Sequence, residues 1–214
     1  MHDVIRKLLR ERKETFDPSE PVDDFMSALL PARDDLDAGC EGDEESSVVL
    51  SEDHFVVAIE DKFIGGFEST STTMRFALAF LASHPKYQED IQNQLDEVLA
   101  GRSPSLKDRP KLPFIQAMIL ETFRFGNVAP LALPHVARID TTLGGYRVPK
   151  GTVVSANTES VHLDPKCWED PTVFNPYHHI DANGNLIMNQ GNFYPFRAGC
   201  RLCAGESLEK LSSS

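Results

Sequence analysis

The sequence of 214 residues predicts a mainly α-helical protein with a small β component. Apolar residues recur at helical spacing in several stretches of the first 125 residues. Strand signals are confined to residues 130–160, where short apolar runs alternate with Gly and Pro. The length is enough for one hydrophobic core, so residues 1–214 are expected to form a single domain.

The N-terminal region contains two predicted helices and an acidic segment. The first helix spans residues 2–14, with apolar side chains on one face. The second runs from Val22 to Leu30, and Pro31 is expected to close it. Residues 34–47 carry seven Asp or Glu side chains and two glycines, which favours a solvated surface loop. A cation-binding or partner-binding tail is the alternative for this segment.

A long helix is predicted over residues 51–83, with Ser51 as its N-cap followed by two acidic residues. Its middle breaks the helical rules, because Gly65 and Gly66 are followed by hydroxyl-bearing residues. Each glycine costs about 1 kcal/mol in a helix interior. Either the helix opens there for a ligand lying alongside, or two helices meet at a Gly-Gly hinge.

Two further helices precede the strands. One begins at Pro85 and ends before Gly101, and its apolar stripe indicates packing. The other spans residues 113–125 and carries Glu121 and Arg124 three positions apart. In isolation, this spacing is typical of a surface ion pair worth ~0.2–0.5 kcal/mol. Glu121, however, falls among the apolar positions of its helix, and a buried pair would need further hydrogen-bond partners.

The strand region is short. The residues Leu143-Gly144-Gly145-Tyr146 are typical of a hairpin, and residues 148–154 predict a strand entered through a turn. The β component is therefore expected to be a small sheet beside the helices.

Charge and composition exclude several classes of protein. The formal net charge of −12 argues against binding to nucleic acid, which requires a basic face. No apolar run approaches the ~20 residues that a membrane-spanning helix needs. The four cysteines lack regular spacing and no signal peptide precedes them, which indicates a reducing compartment and no disulfide framework.

The segment Phe196–Gly205 carries the most chemical information. Gly199 allows the backbone to turn and to approach a flat ligand closely. Arg201 can donate a charge-assisted hydrogen bond to a carboxylate. Cys203 can bind a metal ion as a thiolate. The pattern F-x-x-G-x-R-x-C-x-G in this segment resembles the haem-binding signature of the cytochrome P450 family, the haem-thiolate monooxygenases.

This resemblance implies a haem b cofactor, iron protoporphyrin IX, with Cys203 as its axial thiolate ligand. It implies propionate contacts from Arg201 and from His135, although a half-exposed loop histidine is an equal alternative for His135. The other cofactor-binding positions that it implies are Phe196, Gly199, Gly205 and Gly66.

Two more motifs stand in the order of the family. The stretch around Gly66 resembles the oxygen-activation motif A/G-G-x-D/E-T, with Glu68 as the acid and Ser69 where a threonine is usual. An acid beside a hydroxyl can relay protons, so these two residues are the implied catalytic pair. Glu121 and Arg124 resemble the structural ExxR motif, which an arginine of a later P-E-R-F segment normally joins. His178 occupies the position of that arginine.

The family implies a fold that this chain would contain incompletely at both ends, since a complete member is more than twice as long. The implied activity is insertion of one atom of dioxygen into a lipophilic steroid or xenobiotic. Electrons would come from an NADPH-dependent flavoprotein reductase at the cytoplasmic side of the endoplasmic reticulum membrane, with no anchor in this chain. The run from Phe174 to Glu206 is most similar to the group of steroid 17α-hydroxylases and aryl-hydrocarbon hydroxylases. The isolated fragment is expected to be inactive.

Two other classes of protein remain open. A non-catalytic haem-binding pseudoenzyme is compatible with Ser69 and His178 at two positions that depart from the family pattern. A zinc-binding module would use the C-x-x-C pair Cys200 and Cys203 together with His178 or His179. Zinc without a Soret absorption band would identify the second class.

Overall fold

The structure is a computed structural model that describes residues 1–22, 24–38, 51–187 and 190–206. The side chains of residues 32–38 and of Cys200 are outside this description. The helices are α1 His2–Thr15, α2 Phe25–Ala38, α3 Glu52–Ser83, α4 Pro85–Leu99, α5 Pro113–Gly126 and α6 Thr158–His162. The strands are β1 His135–Val136, β2 Thr141–Leu143, β3 Tyr146–Val148 and β4 Val153–Val154.

This architecture confirms the predicted fold class of mainly α with a small β component. Strands β2 and β3 pair in antiparallel fashion, with Leu143 opposite Tyr146. Gly144 and Gly145 form the turn with φ angles of +56° and +84°, which a residue with a Cβ rarely adopts. Strands β1 and β4 form a second antiparallel pair that places His135 opposite Val154.

The predicted bounds of α2 and of the acidic loop were wrong. The helix begins at Phe25 because Asp24 caps it, accepting a hydrogen bond of 2.8 Å from the backbone N–H of Ser27. It then continues through Pro31 to Ala38, so residues 34–38 are helical rather than looped. An interior proline costs about 3 kcal/mol but does not forbid a helix whose other bonds are made. The remainder of the predicted acidic loop lies outside the described residues.

Helix α3 is continuous over 32 residues, so the two-helix alternative with a hinge at Gly65 and Gly66 was wrong. Ser51 precedes it, and its hydroxyl lies 2.9 Å from Nδ1 of His54 in the first turn. A long helix can contain two glycines because, once the helix is nucleated, each further residue contributes a hydrogen bond. Among the described residues, no helix is long and apolar enough to cross a lipid bilayer.

The chain divides into two compact units, residues 1–68 and residues 69–214, and the division falls within α3. In the first unit, the buried apolar side chains are Ile5, Leu9, Phe55 and Val56. Ion pairs add to this packing, because Arg6 contacts Asp53 at 2.6 Å and joins α1 to the start of α3.

The core of the second unit is a cluster of aromatic rings. Phe174 is 4% exposed and stacks on Phe80 of α3 with ring centroids 4.3 Å apart. The ring of Phe125 on α5 meets Phe174 edge-on at 5.9 Å. The ring centroids of Tyr87 in α4 and Phe174 are 6.2 Å apart. One side chain from the irregular C-terminal region therefore holds three helices together.

Short helical turns that the sequence did not predict complete the second unit. The 3₁₀ turn Leu106–Lys111 lies between α4 and α5, and Ser105 and Asp108 form a capping box at its start. The hydrogen bond from Arg102, partly opposed by burial, lowers the pKa of Asp108 to about 2. A second 3₁₀ turn, Pro176–His179, follows Phe174 and leads into the candidate site.

We expect the substitution Phe174→Ala to lower the free energy of unfolding of the second unit by about 3–5 kcal/mol, because a buried ring shared by three helices leaves a cavity. Urea unfolding followed by circular dichroism measures this change. The matched control is Leu78→Ala on α3, whose side chain is 67% exposed and whose loss should cost less than about 0.5 kcal/mol. Equal effects of the two substitutions would contradict this assignment of the core.

Candidate haem site and the buried charge cluster

Glu121 and Arg124 of α5 form a fully buried ion pair rather than a surface pair. Their side chains are 0% exposed, and two parallel hydrogen bonds join them. Nε of Arg124 donates to Oε2 of Glu121 at 2.8 Å, and Nη2 donates to Oε1 at 2.7 Å. This bidentate geometry gives the strongest form of an Arg–carboxylate contact.

Arg124 has hydrogen-bond partners for all five of its N–H groups. Besides the two bonds to Glu121, it donates to the carbonyl oxygens of His162 at 2.7 Å, Pro171 at 2.9 Å and Val173 at 3.2 Å. Its guanidinium also lies over the ring of Trp168, 5.1 Å from the centroid. A buried cation without a partner would be strongly destabilising, and here every donor is satisfied.

The carboxylate of Glu121 accepts three hydrogen bonds in addition to those from Arg124. The donors are the backbone N–H of Asn175 at 2.8 Å, Nδ1 of His178 at 3.2 Å and Nε2 of His179 at 3.2 Å. Burial alone would raise the pKa of Glu121, but the hydrogen bonds from Arg124 and the two histidines hold it far below its ordinary value. The surrounding hydrogen bonds therefore favour the ionised form of Glu121.

His178 contacts Glu121, as the position of the family arginine implies. Its other ring nitrogen, Nε2, lies 2.5 Å from the carbonyl oxygen of Glu169. Both ring nitrogens of His178 therefore lie within hydrogen-bond distance of an acceptor, one of them the carboxylate of Glu121.

Two further histidines, His162 and His179, are buried; the sequence named His179 only as an alternative zinc ligand and did not single out His162. Burial, together with the nearby charge of Arg124, lowers the pKa of His162 to about 4. Burial also lowers the pKa of His179, against the opposing hydrogen bond to Glu121. Nε2 of His162 accepts a hydrogen bond of 3.1 Å from the backbone N–H of Tyr194, which requires a neutral ring. Glu121, Arg124, His162, His178 and His179 are called the charge cluster below.

The cysteine loop lies in the same unit as the charge cluster. Its backbone closes on itself, because the N–H of Cys203 donates to the carbonyl oxygen of Phe196 at 3.0 Å. Gly199 turns the chain with φ of +76° and begins the 3₁₀ turn Gly199–Arg201. The ring of Phe196 is buried and meets Phe123 of α5 edge-on, with centroids 5.0 Å apart. This contact anchors the loop to the helix that carries the Glu–Arg pair.

The thiol of Cys203 is exposed at the surface of the loop. A Cβ added to Gly205 would lie 3.8 Å from its sulfur, which is ordinary contact, and a Cβ added to Gly199 would meet nothing within 4 Å. With respect to the described residues, the thiol and the turn that precedes it are therefore accessible. Arg201 is exposed in the same turn.

His135 of β1 lies against the loop. Its Nε2 is 3.2 Å from Nη1 of Arg197, a residue of the loop that the sequence did not single out. Arg197 has a backbone φ of +69°, which is unusual for a residue with a side chain. The structure thus places two basic side chains beside the loop of Cys203.

The predicted oxygen-activation residues lie in the middle of α3. Gly66 and Glu68 belong to the first unit and are exposed, whereas Ser69 is half-buried and belongs to the second unit. A Cβ added to Gly66 would meet nothing within 4 Å. The roles of these three residues stay predictions.

These residues fit a haem by the chemistry of their donors. A soft, exposed thiol suits iron, and the basic side chains of Arg197, Arg201 and His135 suit the carboxylates of a porphyrin. Within the part of the chain that the structure describes, no group of three or more His, Cys, Asp or Glu side chains could hold a metal ion by itself. The zinc alternative depends on Cys200, whose side chain lies outside the described residues.

The fold and the site define a mainly α-helical protein whose exposed cysteine loop packs on the helix of a buried Glu–Arg pair. The family model of cytochrome P450 matches residues 1–212. The chain therefore belongs to the cytochrome P450 family, which is a family of haem-containing oxidoreductases.

Relatives with curated names support this membership. A steroid 17-alpha-hydroxylase/17,20 lyase from Gallus gallus is 39% identical over 210 residues, which are 97% of this chain and 41% of that protein. Another from Oryzias latipes is 40% identical over 213 residues, with the same coverage of 97% and 41%. Cytochrome P450 2D28 from Mesocricetus auratus is 36% identical over 209 residues, covering 97% and 40%. The chain thus spans about two fifths of the length of these relatives.

We expect Glu121→Ala to destabilise the second unit by about 3–5 kcal/mol, because it leaves the charge of Arg124 buried without its counterion. The double variant Glu121→Leu with Arg124→Met should cost less than the sum of the single substitutions Glu121→Leu and Arg124→Met, since it removes both charges. Urea unfolding of these three variants measures this coupling.

The control for this cycle is Glu11→Ala, which removes an exposed helical partner that lies 3.8 Å from Lys7. We expect a change of less than about 0.5 kcal/mol there. Additive effects at Glu121 and Arg124 would contradict the buried pair.

We expect the free energy of unfolding to fall as the pH is lowered from about 6.5 to about 4. His162 is neutral in the folded protein down to its pKa of about 4, whereas in the unfolded chain it binds a proton near its ordinary value of 6.5. Its contribution is therefore fully present above 6.5, and it is lost as the pH falls toward 4. The loss is on the order of 3 kcal/mol.

Urea unfolding at a series of pH values measures this acid limb. His162→Gln keeps an acceptor for Tyr194 and removes the titrating ring, so the limb should become shallower. His54→Gln, at an exposed position, should leave it unchanged. A limb that is identical in all three proteins would contradict the role of His162.

Proposed function

We propose that this chain forms the haem-thiolate part of a monooxygenase that inserts one atom of dioxygen into a lipophilic substrate. The observation that carries the proposal is the exposed thiol of Cys203 on a loop anchored through Phe196 and Phe123 to the helix of the buried Glu–Arg pair. Membership of the cytochrome P450 family supports it.

The cofactor would be haem b, which supplies the redox centre at which dioxygen is activated when it is bound. Cys203 would be its axial ligand as a thiolate. Arg201 and His135 would hold its propionates by charge-assisted hydrogen bonds. Gly199 and Gly205 would leave room for the macrocycle beside the loop, since a Cβ at Gly199 meets nothing within 4 Å.

Glu68 and Ser69 would supply protons. A carboxylate next to a hydroxyl on one helix can take up a proton from solvent and pass it on through water. Glu68 is exposed and can exchange protons with bulk water, whereas Ser69 is half-buried. Gly66, two residues earlier, would leave space beside this pair, because a Cβ there meets nothing within 4 Å.

The overall reaction needs one substrate C–H bond, one molecule of dioxygen, two electrons and two protons, and it yields an alcohol and water. The electrons would come from an NADPH-dependent flavoprotein reductase, and the site of the reaction would be the cytoplasmic face of the endoplasmic reticulum. The substrate would be a steroid or a xenobiotic, since relatives of this chain are named steroid 17-alpha-hydroxylases.

We further propose that the 214 residues alone do not turn over substrate. Large apolar side chains along α3 are exposed, including Phe63, Phe67 and Leu78 at 62–68%. Apolar surface on this scale is typical of a face that other protein or a cofactor covers. If these side chains remained uncovered, water would reach the cofactor and would uncouple oxygen use from product formation.

A pseudoenzyme that holds haem without catalysis is the second candidate. It is favoured by Ser69, whose hydroxyl lacks the methyl group that restrains the rotamer of a threonine. Haem retention without turnover, even with a reductase present, would support this candidate over the monooxygenase.

We expect the purified chain with added haem to show a long-wavelength Soret band when it is reduced and exposed to carbon monoxide. Cys203→Ser should abolish that band, because a hydroxyl cannot replace the thiolate. Cys200→Ser is the matched control and should retain the band. Loss of the band in both variants, or bound zinc at one equivalent without a Soret band, would overturn the haem-thiolate proposal in favour of a zinc site.

A further inference from the structure

We infer that Arg197 is a further haem-binding residue of this chain, which donates to a propionate of the cofactor and positions His135 beside it. The inference rests on the proposed function and extends it to a residue that the sequence motif leaves variable. Three observations support it: the backbone conformation of Arg197, its contact with His135 and its position in the cysteine loop.

The backbone of Arg197 lies in the left-handed region, with φ of +69°. A side chain is disfavoured there, and glycine is the residue that adopts this conformation without strain. Gly199, two residues later, has φ of +76°. Strained residues of this kind cluster at binding and catalytic sites, where the side chain has a task that a glycine could not perform.

The contact with Arg197 assigns the roles of the two ring nitrogens of His135. A guanidinium carries only donors, so Nη1 of Arg197 donates across the 3.2 Å to Nε2 of His135. Nε2 is therefore the accepting nitrogen of this contact, and Nδ1 is the ring nitrogen that can donate elsewhere. Arg197 thus makes the other edge of the imidazole a hydrogen-bond donor, which is what a carboxylate needs.

Arg197 retains donors for an anionic ligand. Among the described residues, its side chain makes no hydrogen bond other than that to His135, and no carboxylate forms an ion pair with it. Glu206 lines the same cavity of about 260 Å³ as Arg197, together with Phe123 and Phe196, and is the acidic residue that could compete for it. A planar guanidinium with unused N–H groups matches a carboxylate in bidentate geometry.

The backbone of the loop brings the residue before Arg197 into contact with Cys203. Arg197 follows Phe196 directly, and the carbonyl oxygen of Phe196 accepts the hydrogen bond from the N–H of Cys203. The backbone N–H of Arg197 donates to the carbonyl oxygen of Tyr194 at 3.2 Å, which fixes the start of the loop. One ligand with a metal ion and carboxylates on a single flat ring could therefore engage Cys203 and Arg197 together.

The test uses the whole chain and two probes, haem and haem dimethyl ester, which lacks the propionate charges. Equilibrium titration followed by the Soret band gives the ratio of the two affinities. We expect Arg197→Gly to reduce the ratio of the affinity for haem to the affinity for its dimethyl ester about threefold to tenfold. This is the size of effect expected from the loss of one charged hydrogen bond at a partly exposed site. Because glycine relieves the backbone strain, thermal unfolding of the apoprotein should show no loss of stability.

Two control variants separate this effect from strain and from general charge. Ala132→Gly relaxes another residue with positive φ, +53°, and Arg147→Gln removes an arginine that is 78% exposed in the hairpin. Neither should change the preference for free haem. His135→Gln tests whether Arg197 acts directly, and the effect of Arg197→Gly should persist in that background.

An unchanged preference in Arg197→Gly, or a loss of affinity that is equal for haem and its ester, would overturn the inference. An effect that disappears in the His135→Gln background would overturn direct donation to the propionate. If the unsubstituted chain shows the thiolate Soret band and only the Arg197 result fails, the proposed function stands without this residue. If the chain binds no haem, both the proposed function and the inference fail.

Discussion

The bidentate pair between Glu121 and Arg124 is the interaction on which the second unit depends. Its two charges are completely buried, so the fold must supply a hydrogen bond to every donor and to both carboxylate oxygens. Three backbone carbonyls and one backbone N–H meet this demand, and they come from residues 162–175. A chain segment with little regular structure is thereby given a defined path around α5, because any other path would leave a charge unsatisfied.

The same cluster determines where the cysteine loop begins. His162 offers a carbonyl oxygen to Arg124 and a ring nitrogen to the backbone of Tyr194, which connects the ion pair to the residues just before the loop. Phe196 then packs on Phe123, the residue beside Arg124 in α5. The loop is thus held at two points on its N-terminal side, while the thiol of Cys203 remains exposed. Rigid support beneath an exposed thiol is the arrangement that the proposed ligation of haem iron would require.

Local signals predicted the elements, and distant contacts explain what they missed. Helical spacing, Pro at a first turn and Gly-Gly in a hairpin lie within a few residues of the structure they specify, so α3, α4, α5 and the β2–β3 turn could be predicted. The burial of the Glu121–Arg124 pair depends on carbonyl groups that lie 38, 47 and 49 residues beyond Arg124, and no spacing rule contains such distant partners. Asp24 moved the start of α2, and Arg197 drew no attention because its conformation and its contact with His135 are tertiary properties.

Two histidines do the work at Glu121 that the family pattern assigns to one arginine. An arginine brings a permanent charge and several donors on one rigid group. Here two rings contact the carboxylate, through Nδ1 of His178 and Nε2 of His179, each at 3.2 Å. His178 is short, but the 3₁₀ turn Pro176–His179 brings both rings to the same carboxylate. The backbone of this turn therefore replaces the reach of an arginine side chain, and each oxygen of Glu121 has a histidine partner.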